Sequence, residues 1–95
     1  MSITATKSPA ASNNPRPLSV IAREIRTYWP NMSVHARPYA NAMMSLDAIT
    51  DDFYNDSAQS VVLYFLSNAA TWRGDHAKRI KAELKRMVKA NGYPI

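Results

Sequence analysis

Ninety-five residues, 46% of them hydrophobic and 20% charged, describe a single small globular domain and exclude both a multidomain chain and a largely disordered one. With no cysteine, neither a disulfide nor a thiolate–metal staple supplements a core of this size, which fits a reducing cytoplasm. The net charge of +5 points towards acidic partners, and the longest fully apolar run, Val61 to Leu66, is far shorter than the ~20 residues that span a bilayer.

Met1 to Pro15 is rich in Ser, Thr, Ala, Asn and Pro, holds one charge, and has no apolar stretch of signal-peptide length. Such a segment cannot offset its ordering entropy by burial, so residues 1–16 are expected to be a disordered tail and residues 17–92 the helical domain. Pro17 suits the first turn of a helix, where its missing N–H costs nothing. Leu18 to Trp29 follows as the first helix, with Val20, Ile21, Ile25, Tyr28 and Trp29 as its apolar stripe, and Pro30 stops it. Asn31 to Arg37 reads as a loop.

Pro38 restarts a helix in which Tyr39, Ala42, Met43, Leu46, Ile49 and Phe53 recur three or four apart, with Thr50-Asp51-Asp52 as an alternative cap for a short new turn. Asp56-Ser57-Ala58-Gln59 has the form of a capping box, placing Asp56 as the N-cap of a third helix. Ala58, Val61, Val62, Phe65, Leu66, Ala69 and Trp72 form its wide apolar arc, extended by Leu63 and Ala70, so this helix should be central. Val61 to Leu66 has the composition of a buried strand too, but the cap before it and Ser-Asn-Ala-Ala after it favour helix. Gly74 is expected to close that helix in a left-handed conformation and Asp75 to cap the next. The last helix buries Ala77, Ile80, Leu84, Met87 and Val88 and turns Lys78, Arg79, Lys81, Lys85, Arg86 and Lys89 outward. Gly92 ends it, and Tyr93-Pro94-Ile95 is expected to fray.

No Gly-rich phosphate loop, Ser-His-Asp signature or zinc spacing is present, and His35 and His76 each lack a neighbouring ligand, so neither an enzyme nor a metal or organic cofactor is expected. The six cations of the last helix read either as a phosphate-contacting face or as the solvated side of an amphipathic helix, with Arg79 and Glu83 spaced to pair along it. No base-reading side chain is interleaved with them, so DNA or RNA would be held by its backbone; a helix-turn-helix reading meets the same objection. Asp47, Asp51, Asp52 and Asp56 form an acidic segment with no cation among them. Pairing with the basic helix is the favoured reading, ahead of capping and of a hard-cation site at Asp47 and Asp51. Most aromatics fall on apolar faces, but Trp29 and Trp72 lie where helices stop, and Trp72 beside Arg73 has the make-up of an interface anchor.

The segment Tyr64-Phe65-Leu66-Ser67-Asn68-Ala69-Ala70-Thr71-Trp72-Arg73-Gly74, continuing to Ala77 and Ile80-Lys81-Ala82-Glu83-Leu84, resembles a pattern in small uncharacterised proteins of actinobacterial phages. Pro38-Tyr39 and Ala42-Met43 share in the resemblance, which covers residues 18 to 90. It transfers no activity and no site residue; it implies a phage-type accessory protein acting in a host bacterial cytoplasm. The expected architecture is an all-α bundle of three to four helices. The expected function is a non-catalytic module that binds, and by binding inhibits, a host protein through Trp72, Arg73 and Trp29. The alternative is nucleic-acid binding through Lys78, Arg79, Lys81, Lys85, Arg86 and Lys89, and homo-oligomerisation is compatible with either.

Overall fold

In the computed structural model, which describes residues 15–93, Pro17 leads directly into α1 (Leu18–Tyr28). The remaining elements are α2 (Arg37–Met43), a two-stranded hairpin of β1 (Asp52–Phe53) and β2 (Asp56–Ser57), α3 (Ala58–Ser67) and α4 (Asp75–Ala90). The described residues therefore form a small, mostly helical domain of four helices. No helix among the described residues is long and apolar enough to cross a membrane. The expected disorder of residues 1–16 falls mainly outside the described residues, but Arg16 is described and is held by two glutamates. Its guanidinium donates to both carboxylate oxygens of Glu83 at 2.7 and 2.9 Å and to Glu24 at 2.7 Å, tying the entry of α1 to α4.

The helices form a closed ring in which α1 packs against α2 and α4, and α3 packs against α2 and α4. Cross-contacts fix their directions. Tyr28 meets His76 while Arg16 meets Glu83, so α1 and α4 run antiparallel. Lys81 reaches the carbonyl of Ala69 while Asn91 reaches the side chain of Gln59, so α3 and α4 do the same. Leu18, Ile21, Ala22 and Ile25 from α1, Val61, Val62 and Phe65 from α3, and Ile80, Leu84 and Val88 from α4 fill the centre. Val20 and Tyr28, which periodicity assigns to the α1 stripe, are instead exposed. The apolar arc is shifted by the burial of Leu18 and Ala22.

The second helix is much shorter than its spacing suggests. After Met43 the amides of Met44, Ser45 and Leu46 bond three residues back, a tightening that ends the helix. The carbonyls of Leu46 and Asp47 then accept from the amides of Ser19 and Leu18 at 2.8 Å each. Pro17, the N-cap of α1, has no side chain able to accept, so this backbone satisfies donors that would otherwise be orphaned. Ile49 and Phe53 still pack against the core, which explains why the stretch reads as helical: a turn and a hairpin deliver apolar residues at a helix-like interval.

The start of α3 is also displaced. Asp56 is not its N-cap; it pairs with Phe53 across the hairpin, and Ser57 caps the helix, its Oγ accepting from the amide of Ser60 at 3.1 Å. Gln59, expected to close a capping box, instead accepts from Asn91 at 2.7 Å. At its other end α3 stops at Ser67, short of Trp72, and an irregular connector carries Ala69 and Trp72 back into the core. Gly74 therefore does not terminate α3. It is the N-cap of α4, at φ 107° and ψ 179°, a conformation open essentially to glycine alone, and Asp75 becomes the first helical residue. Gly92 does close α4. At φ 97° it allows Gly92 N–H to reach the carbonyl of Lys89 and Tyr93 N–H that of Val88, the paired bonds of a Schellman motif. Tyr93 is accordingly held rather than frayed, and Pro94 and Ile95 lie outside the described residues.

Candidate functional site

The two tryptophans are not surface anchors. Trp29 is 9% exposed and Trp72 4%, and their rings stack at 5.3 Å with an interplanar angle of 2°. Phe65 meets both edge-on, at 6.3 and 6.5 Å. These separations and angles are favoured by the ring quadrupoles, so the cluster pins the end of α1 and the α3–α4 connector to the middle of α3. Arg73 alone of the expected anchor remains exposed.

The basic helix is sorted by its neighbours into two flanks. Towards α1, Arg79 donates to Glu24 at 3.1 and 3.3 Å and lies 3.1 Å from Nδ1 of His76, whose ring stacks on Tyr28 at 3.6 Å. Glu83 turns to Arg16, so the expected Arg79–Glu83 pair along the helix does not form. Hydrogen bonding from Arg79 holds the Glu24 carboxyl below its ordinary value, with Arg16 adding to the effect against partial burial. Towards α3, Lys81 is half-buried and its Nζ donates to the carbonyl of Ala69 at 2.7 Å, securing the connector. Burial, and then repulsion from Lys85 and Arg73, pushes its pKa below the usual lysine range. Lys78, Lys85, Arg86 and Lys89 are exposed and meet no carboxylate among the described residues.

Those last three cations rim a groove of about 540 Å³ between α3 and α4. Leu63, Leu66 and Ser67 of α3 form its floor, Lys85, Arg86 and Lys89 of α4 its wall, and Tyr93 lies at one end. The lysine and arginine stems lie beside the leucines while the charges reach solvent, the usual compromise of long cationic side chains. The arrangement favours an apolar group carrying negative charge. Of its lining, the basic residues were prominent in the sequence, whereas Leu63 and Leu66 were indistinguishable from core. Tyr93 was missed, although Asn-Gly followed by an aromatic residue and proline is a recognisable helix-end signature.

The acidic segment does not pair with the basic helix within the chain: no carboxylate of Asp47, Asp51, Asp52 or Asp56 is in an ion pair among the described residues. Nor do Asp47 and Asp51 converge as cation ligands. Oδ2 of Asp51 accepts from the amides of Ala48 and Asp47 at 2.9 and 3.0 Å, which lowers its pKa and caps the turn before the hairpin. Among the described residues no group of three or more His, Cys, Asp or Glu is placed to hold a metal ion. Comparisons of the chain with family models, curated proteins and solved structures returned no match.

Proposed function

We propose that this chain is a non-catalytic interaction module whose α3–α4 groove receives an acidic segment with apolar side chains from a partner protein. The observation that carries the reading is the coincidence of an apolar floor, Leu63 and Leu66, with three cations, Lys85, Arg86 and Lys89, that meet no carboxylate among the described residues. A groove with these two chemistries matches an amphipathic peptide better than a nucleic acid, which offers phosphate but little to set on leucine. The resemblance to actinobacterial phage proteins makes a host bacterial protein the expected partner, and occupying one of that protein's own interaction segments would inhibit it. In this reading the contact shifts from Trp72 and Trp29 to the groove, with Arg73 outside it.

A second reading keeps the nucleic-acid alternative, because Lys78, Lys85 and Lys89 lie along one flank of α4 and form no ion pair among the described residues. One experiment separates the two. Tagged wild-type chain and a Leu63→Lys/Lys85→Glu variant are incubated with an actinobacterial lysate, with nuclease and a salt series. The partner reading expects a discrete protein retained through nuclease by wild type and lost by the folded variant. Retention unaffected by the groove substitutions would sink it. Recovery that vanishes with nuclease and falls steeply with salt would instead establish the phosphate-binding reading.

A further inference from the structure

The acidic hairpin ends in an aromatic side chain that meets its neighbour Phe53 edge-on at 4.7 Å and otherwise projects into solvent. Tyr54 is 89% exposed and sits at φ 55°, the only non-glycine residue described with a positive φ. A bulky side chain rarely adopts that conformation. The conformation is held in place by its surroundings: the register Asp52↔Ser57 and Phe53↔Asp56 leaves only Tyr54 and Asn55 to make the turn, and Phe53 packs on the core. Asp52 and Asp56, one on each face of the hairpin, flank the turn with negative charge and are in no ion pair among the described residues. The hairpin thus has the two chemistries, apolar and anionic, that the α3–α4 groove is built to receive.

We infer that the Tyr54 hairpin of one copy docks in the α3–α4 groove of a second copy. Charge complementarity selects this occupant: Asp52 and Asp56 supply the negative charge that Lys85, Arg86 and Lys89 call for, and the ring meets Leu63 and Leu66. Among the described residues the hairpin does not line its own groove and makes no ion pair with its cations. It is bonded to the start of α3, with Ala58 N–H donating to the Asp51 carbonyl at 2.8 Å, whereas Leu63 lies five residues, about 7.5 Å, further along the same helix. Because each copy carries both surfaces, a two-fold arrangement satisfies both contacts at once and closes the assembly as a dimer. Self-docking fills the groove, so it competes with the partner of the proposed function and is tested without one.

The full chain is examined by sedimentation equilibrium from micromolar to about 1 mM, the weak end of measurable association. Wild type should self-associate, more weakly as salt rises. Tyr54→Asn removes the ring but tolerates the positive φ, so its melting temperature should be unchanged or higher while association weakens at least tenfold. Asp52→Lys/Asp56→Lys and Lys85→Glu/Lys89→Glu should each be monomeric alone, since like charges then face one another. Mixed, they should associate, one contact being wild-type and the other charge-swapped. The inference is overturned if wild type stays monomeric at about 1 mM, if Tyr54→Asn associates undiminished, or if the mixture stays monomeric. A monomeric wild type that still loses its lysate partner on groove substitution overturns self-docking and leaves the partner reading standing.

Discussion

At Gly74 the glycine in the sequence has a different use from the one its position suggests. Glycine after an apolar helix reads as a C-cap, but the six residues from Asn68 to Arg73 intervene, and Gly74 opens α4 at a backbone geometry closed to other residues. A Cβ at either described glycine would meet nothing within 4 Å, so any cost of adding one is conformational rather than steric crowding by neighbours. Gly74→Ala should therefore destabilise by about 1–3 kcal/mol in denaturant unfolding. Gly92→Ala, at a helix end, should cost about 1–2 kcal/mol. Equal stability of wild type and Gly74→Ala would contradict the assigned N-cap conformation.

Elements rich in regular periodicity were legible; elements built by distant partners were not. α1 and α4 stand out because an apolar stripe opposite charge has one helical solution, and Pro17 and Gly92 mark where they begin and end. The helix read from Pro38 to Phe53 fails after Met43 because the carbonyls of Leu46 and Asp47 are engaged by α1, a bond that no local pattern announces. The one-residue shift from Asp56 to Ser57 at the start of α3 has the same origin, since Asp56 is committed to the hairpin. Trp72 was assigned to α3 and found instead in the connector, buried against Trp29. The stack joins elements, so its loss should be felt beyond one helix. Trp72→Ala should cost about 3–5 kcal/mol, with Trp72→Phe milder. The near-parallel indoles should also give an exciton couplet in circular dichroism that disappears when either tryptophan becomes Phe.

For the whole molecule, charge is segregated more finely than the net value of +5 conveys. Glutamates 24 and 83 neutralise the α1 side of α4 through Arg16 and Arg79, leaving the α3 side cationic and the hairpin anionic. The sequence showed both charged segments but not that they fail to meet, because their separation depends on the ring order of the helices. Protonation should act on stability through the two carboxyls whose pKa is lowered by folding, Glu24 by Arg79 and Asp51 by the amides of Ala48 and Asp47. In that window the unfolded chain binds more protons than the folded one. Their stabilisation is fully present above their ordinary values of 4.5 and 3.8 and is lost as pH falls through the lowered ones. Denaturant midpoints should therefore drop from about pH 5 towards pH 2, and less steeply for Glu24→Gln/Asp51→Asn. Identical slopes for variant and wild type would refute the assignment. Lys81, lowered by burial, has the same sign at the alkaline end: stability is gained as pH rises through its depressed pKa towards 10.5.

The contact between Arg16 and Glu83 spans 67 positions of the chain, and it joins the first helix to the last. A ring closed in this way has no early half that is complete. As the chain emerges from a ribosome, the apolar faces of α1 and α3 wait for α4, which follows them, and Leu84 and Val88 lie in its second half. Contacts this distant slow closure, since the intervening chain must be ordered before they are rewarded. The folding intermediate that lacks α4 is thus the vulnerable one, and this charged helix is the piece that both seals the core and shields it.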